Sequence, residues 1–191
     1  INQPLSAISS YTTGCLNRLD SGDLPRDELR EALGKLASQA QRAGRVIRRI
    51  YDFVRRSEPQ RALCEINAIV EDAVGLIEGD ARKRGVKIAA ELAGGLPPVR
   101  ADRVMLEQVL LNLMRNGIEA MQASGGVLDL AVRSDAEGGV EAIVADTGPG
   151  LDENAPIFDA FYTTKEAGTG LGLAIVHRIV REHGGTIHFD S

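Results

Sequence analysis

Two glycine-rich stretches hold the densest chemistry in this chain: Asp146-Thr147-Gly148-Pro149-Gly150 and, one short segment later, Gly168-Thr169-Gly170-Leu171-Gly172-Leu173. Asp146 ends the apolar run Ala142-Ile143-Val144-Ala145, which puts a carboxylate at a strand end. Such an oxygen can accept a hydrogen bond from the amino group of adenine, and it discriminates against guanine, which presents a carbonyl at that position. Gly148 and Gly150 would let a planar base approach the backbone without interference from a Cβ. The plainer reading of the same residues is an ordinary Gly-Pro-Gly turn. The second stretch leads into a helix through Ala174-Ile175-Val176 and Ile179-Val180, and free N–H groups at a glycine-rich helix start bind phosphate oxygens. Its spacing is G-x-G-x-G. That is not the dinucleotide fingerprint, nor a Walker A loop, because Lys165 follows Thr163-Thr164 without a glycine loop before it. A flexible loop is the alternative.

A third group lies on a helical pattern further upstream. Asn112, Arg115, Asn116 and Glu119 recur at i, i+3, i+4 and i+7 and share one face, while Leu106, Val109, Leu110, Leu113 and Met121 supply the buried side. Asn is a poor helix-interior residue because its amide competes for backbone hydrogen bonds. Two of them one turn apart suit carbonyl oxygens turned toward Mg²⁺ and phosphate, since hard Mg²⁺ takes oxygen ligands and keeps waters and nucleotide oxygens around it. A solvated polar stripe is the simpler reading of this helix taken alone. Paired amides, a lone carboxylate and a glycine-rich helix start together describe a pocket for a magnesium nucleotide. His177, His183 and His188 invite a metal reading, but His177 and His183 sit six apart on a helix, off one face, and they read as surface or packing residues. Cys15 and Cys64 lie far apart, without ligand spacing, and read as reduced thiols of a cytosolic protein.

The elements that must carry these groups follow from pattern. The chain has 191 residues, 43% hydrophobic, with a net charge of −5, which argues against a general nucleic-acid surface. No apolar run approaches the ~20 residues of a membrane helix. Leu5, Ile8, Thr12, Cys15 and Leu19 keep helical spacing up to the turn Ser21-Gly22-Asp23-Leu24-Pro25. Leu29, Leu33, Leu36, Ala40, Ala43, Ile47, Ile50 and Val54 continue it along a second helix that Ser57-Glu58-Pro59 ends. One such hairpin buries too little by itself, and a dimeric four-helix bundle completes it; packing on the chain's own C-terminal part is the alternative. Arg42, Arg45, Arg48, Arg49, Arg55 and Arg56 form a solvated face or a docking strip. Beyond Leu63 the pattern turns to mixed α and β. It predicts a helix capped by Asn67 to about Arg84, a strand over Val86–Leu92, and a helix capped by Asp102 to about Gln122. Strands over Val127–Arg133 and Val140–Asp146 follow, then a helix from about Thr169 to Glu182 and a last strand near Thr186. The expected class is α+β: a hairpin at 1–58 and an α/β sandwich at 62–191.

Four stretches in this order resemble the sensor histidine kinases. Leu106 to Met121 resembles their asparagine box, Asp146 to Gly150 their first glycine box, Ile157 to Lys165 their phenylalanine box, and Gly168 to Leu173 their second glycine box. Asn2-Gln3-Pro4-Leu5 resembles the segment just after the phosphoacceptor histidine. The likeness covers essentially the whole chain. It implies a dimerisation and phosphotransfer hairpin followed by an ATP-binding domain, with ATP and Mg²⁺ as cofactors and a response-regulator receiver domain as partner. It also implies that Asn116 ligates Mg²⁺ with Asn112 beside it, that Asp146 reads adenine, and that Gly148 and Gly150 line the base. Lys165 and Thr164 would reach the γ-phosphate region, Gly168, Thr169, Gly170, Leu171 and Gly172 would wrap the phosphates, and Thr186 would support Asp146. The expected protein is cytoplasmic in this part, with no nucleic acid or membrane contact of its own.

The departures matter as much. The first helix contains no His, so the acceptor and its acidic neighbour are expected just upstream of Ile1. Gln3 stands where many phosphatase-competent relatives carry Thr or Asn. Gly117 and Glu119 replace Ala and Lys of other branches, which shifts phosphate contact toward Lys165 and Arg115. The lid from Leu151 to Ala167 is short. Pro4 marks either a kink or a first helical turn. Two other readings stay open: an ATP-binding dimer scaffold without transfer activity, and a gyrase-like or chaperone-like ATPase, against which the preceding hairpin argues.

Overall fold

Two helices come first, and they form one of two units into which the chain divides, Ile1–Arg56 and Ser57–Ser191. The computed structural model describes residues 2–54, 59–152, 154–165 and 168–190, without the side chains of residues 2, 3, 45, 46 and 48–54. Helix α1 (Asn2–Asp20) and helix α2 (Arg26–Val54) pack against each other around the expected turn. The turn is closed by the Asp23 N–H donating to Arg18 O at 3.0 Å and by Arg18 Nε donating to Asp23 O at 3.0 Å, while the same guanidinium pairs with Glu28. Pro25 offers its carbonyl to the Leu29 N–H at 3.0 Å, opening α2, and Asp27 and Glu28 put negative charge at its positive end. Pro4 lies within α1 and is buried. Along the hairpin seam Ala43 is buried, but Leu5, Leu16, Leu19, Leu33 and Ile47 remain 49–55% exposed. Of the arginine strip, the side chains of Arg45, Arg48, Arg49, Arg55 and Arg56 lie outside the described residues. So do those of Asn2, Gln3, Ile50 and Val54, and residues Ser57 and Glu58 of the helix-ending segment.

The second unit is mixed helix and sheet: β1 (Ala62–Cys64), α3 (Ile66–Lys83), β2 (Val86–Leu92), β3 (Val99–Ala101), α4 (Arg103–Ala120), β4 (Gly126–Ser134), β5 (Val140–Asp146) and α5 (Gly172–Glu182). β4 is central, parallel to β2 with Val86 opposite Gly126, and antiparallel to β5 with Leu128 opposite Asp146. Its Leu128, Leu130 and Val132 are buried and alternate with Asp129, Ala131 and Arg133, the period-two pattern of a strand with one covered face. α3 and α4 supply the cover: Ile69, Val70, Ala73 and Ile77 meet Leu110, Met114, Ile118 and Met121 in one cluster with those strand residues. Ile69, Met114, Ile118 and Leu128 are at most 1% exposed, so each contributes about 1.5–3 kcal/mol by burial.

The helix boundaries repeat the expectation in places and correct it in others. Asp102 caps α4: its Oδ1 accepts the Val104 and Met105 N–H groups at 3.0 and 3.2 Å, and its Oδ2 accepts the Gln60 N–H at 2.8 Å. Asn67 does not cap α3. The capping position is Glu65, and Asn67 Nδ2 instead donates to Ala93 O at 2.9 Å, tying α3 to the chain after β2. The short antiparallel pair of β1 and β3 was not anticipated. α5 begins at Gly172 and not at Thr169, because Gly170 adopts φ +65°, a left-handed conformation that stops a right-handed helix from extending back through it. No strand forms near Thr186; among the described residues 185–190 no ladder pairing occurs.

Candidate functional site

The site is built where the end of β5, the last turns of α4 and the start of α5 face one another. Asp146 closes β5, and the chain turns at once because its Oδ1 accepts the Gly148 N–H at 2.9 Å. Oδ2 lies against Gly117 of α4. A Cβ at Gly117 would stand 3.1 Å from Asp146 Oδ2 and Cβ and 2.8 Å from Leu128 Cδ1. Gly117 is therefore a contact residue: only a bare Cα lets the helix seat this closely on Asp146 and its cross-strand neighbour. Thr147 holds the same corner from the other side, its Oγ1 accepting the Val127 N–H at 3.1 Å. Gly150 follows in the loop with φ +75°.

Asn112 and Asn116 are half-buried on α4, and neither side chain has a hydrogen-bond partner among the described residues. The amide atoms of the pair are not sealed from solvent, so they are open to water or to a ligand. Asn116 Nδ2 is directed to the start of α5, 3.9 Å from where a Gly172 Cβ would be. At that start Leu171 is fully buried and no side chain caps the helix, so its first N–H groups are not taken by a capping side chain. Gly170 is pressed on the backbone of Phe161, whose N–H donates to Gly170 O at 2.8 Å; a side chain at 170 has no room. Among the described residues, Phe161 is the non-glycine residue held at positive φ, 72°. These contacts fasten the segment before Lys165 to the glycine-rich start of α5.

Lys165 does not stand free. Its Nζ donates to Glu119 Oε2 at 2.6 Å, and each side chain is 41% exposed. Thr164 is exposed beside it, and Gly168 and Thr169 are half-buried. Arg115 is exposed and makes no ion pair among the described residues. Thr186 is exposed and makes no hydrogen bond with Asp146, so the structure does not bring it into the group. Residues Glu153, Glu166 and Ala167 of the expected lid lie outside the described residues. His183 is a packing residue: its Nε2 accepts the Asp102 N–H at 3.0 Å and its Nδ1 bonds Ile179 O at 2.8 Å. His177 stacks on Phe158 with ring centroids 5.2 Å apart.

The donor set fits a magnesium nucleotide. Unpartnered amide oxygens are hard ligands, the uncapped helix start suits phosphate, and Asp146 keeps an oxygen at the α4–β5 corner. Gly117 and Glu119 were visible in sequence as departures within the asparagine pattern; their contacts, to residues 29 and 46 positions away, were not.

Residues 101–191 match the family described as histidine kinase-, DNA gyrase B- and HSP90-like ATPase. The C4-dicarboxylate transport sensor protein DctS of Rhodobacter capsulatus is 43% identical over 98% of this chain and 29% of its own length. The sensor protein FixL of Bradyrhizobium diazoefficiens is 38% identical over the whole chain and 39% of its own length. The chain thus spans less than half of these relatives. Among solved structures, the catalytic domain of histidine kinase ThkA is 31% identical over 64% of this chain and 82% of that one, with a TM-score of 0.57. Full-length ShkA, in complex with AMPPNP, is 25% identical over 95% of this chain and 41% of that one, at 0.68. ThkA in complex with the response regulator TrrA shares the fold at 0.71 and 23% identity, over 96% of this chain and 52% of that one. An ATPase-type unit behind a helical hairpin, with likenesses of this kind along the whole chain, belongs to the sensor histidine kinase family as one of its catalytic cores.

Proposed function

We propose that this chain binds Mg-ATP and serves as the core of a two-component kinase that transfers the γ-phosphate to a histidine and then to a response-regulator aspartate. The observation that carries the reading is the half-buried amide pair Asn112 and Asn116, unpartnered and directed by Asn116 to the uncapped start of α5. In this reading Asn116, with Asn112 beside it, holds Mg²⁺, which supplies neutralisation of the phosphate charge. Asp146 Oδ2 accepts the adenine amino group while Gly148 and Gly150 flank the base. The glycine-rich segment Gly168, Thr169, Gly170, Leu171 and Gly172 wraps the phosphates at the uncapped start of α5, and Lys165, Thr164 and Arg115 serve the terminal phosphate. The AMPPNP bound by ShkA supports the nucleotide, and the regulator bound by ThkA supports the partner.

The acceptor histidine is assigned by the same reading to sequence before Ile1. The chain's three histidines, His177, His183 and His188, all lie in the second unit, and His183 is committed to packing. The exposed apolar seam of the hairpin supports a homodimer, completed as a four-helix bundle. Among the described residues no helix is long and apolar enough to cross a membrane.

Thermal unfolding with and without Mg-ATP tests the pocket. At a hundredfold excess over Kd a ligand adds about 2.7 kcal/mol, which shifts the melt by several degrees. Asn116→Ala removes the metal-dependent part of that shift. An unchanged melting temperature in saturating Mg-ATP overturns the assignment.

A further inference from the structure

We propose that Glu119 is a positioning residue that parks the Lys165 ammonium beside the amide face of α4 and releases it to a nucleotide's terminal phosphate. The proposal rests on the nucleotide reading above and adds a resident counter-ion to it. Glu119 lies on α4 three residues beyond Asn116 and seven beyond Asn112, on the face the two amides share. Lys165 reaches it across 46 residues of sequence, with Nζ 2.6 Å from Oε2. The lysine is presented by a braced turn: its N–H donates to Thr163 Oγ1 at 3.2 Å, and its carbonyl accepts the Gly168 N–H at 3.0 Å. The ion pair therefore fixes an irregular segment to the helix that carries the proposed metal ligands.

Solvent access decides what such a pair can do. Both side chains are 41% exposed, so the pair is screened and weak compared with a sealed one. A polyphosphate brings several negative charges against the single charge of Glu119, so Lys165 exchanges partners when a terminal phosphate comes within reach. A shorter nucleotide leaves the pair intact. Glu119 in this way holds the segment ordered before binding and competes with the terminal phosphate for Lys165, which lowers triphosphate affinity and leaves diphosphate affinity untouched.

The test uses the chain with Glu119→Gln, Lys165→Met, the double variant, and the charge swap Glu119→Lys with Lys165→Glu. Amide hydrogen exchange over residues 157–165 is measured without nucleotide, and affinity is measured for Mg-AMPPNP and Mg-ADP. Each single variant should speed exchange about three- to fivefold, the double no further, and the swap should restore slow exchange. Glu119→Gln should tighten Mg-AMPPNP about three- to fivefold, leave Mg-ADP nearly unchanged, and lose its gain in the Lys165→Met background. Unchanged exchange in both single variants overturns the proposal, and so does a Glu119→Gln gain that survives Lys165→Met. If the parent chain binds no nucleotide, the pocket assignment fails, while the exchange measurement still decides whether Glu119 holds Lys165.

Discussion

Asp146 works with two oxygens that have separate tasks: one shapes its own turn by accepting from Gly148, and the other remains at the corner with α4. Asp146→Asn can keep the turn by offering its amide oxygen to Gly148, but it then points an NH₂ donor at the adenine amino group. ATP affinity should fall by about 1–3 kcal/mol while binding of inorganic tripolyphosphate is unchanged. Competition with a fluorescent nucleotide measures both, and equal losses would refute the adenine role. Gly117 gives a second expectation at this scale. Alanine there gains about 1 kcal/mol in helix propensity, yet its methyl group crowds Leu128 and Asp146, and overpacking costs about 1–3 kcal/mol. Gly117→Ala should therefore lower stability in urea by about 1 kcal/mol and weaken ATP alongside. The face shared by Asn112, Asn116 and Glu119 could be read from spacing alone. The partner of Glu119 could not, because an i+3 relation says nothing about a lysine on a distant segment.

Elements were legible where one local rule decides them. Val86–Leu92 alternates and forms β2, and Asp102 precedes an apolar periodic run and caps α4. The misread places are those where a distant partner decides. Asn67 looks like a cap, but its amide is taken by Ala93 O. β1 and β3 are three residues each, too short to show alternation, and they exist because they pair with one another. Residues 186–190 do alternate, with Ile187 and Phe189 half-buried between exposed neighbours, yet alternation without ladder pairing makes no strand. The Asp102 junction yields a prediction here. Its carboxylate satisfies three backbone N–H groups, two in α4 and one at Gln60, so Asp102→Ala should cost about 1–2 kcal/mol, read from denaturant midpoints. Asp102→Asn, which keeps an acceptor, should recover most of it. A loss no larger than that of an ordinary surface substitution would show that the cap is dispensable.

At the scale of the whole molecule, the hairpin and the α/β unit are held by different means. The α/β unit encloses a continuous apolar core, whereas among the described residues the hairpin leaves Leu5, Leu16, Leu19, Leu33 and Ile47 about half exposed. If those side chains meet a second copy, an aspartate at Leu36 or Ile47 places a charge in the shared seam. Light scattering should then fall from twice the chain mass to once, with nucleotide affinity preserved. A wild-type monomer at tens of micromolar would contradict the bundle. The division into two units has one more consequence, for heat capacity. A scanning calorimeter should record two separate endotherms: one climbs with protein concentration and ignores nucleotide, and the other climbs with nucleotide and ignores dilution.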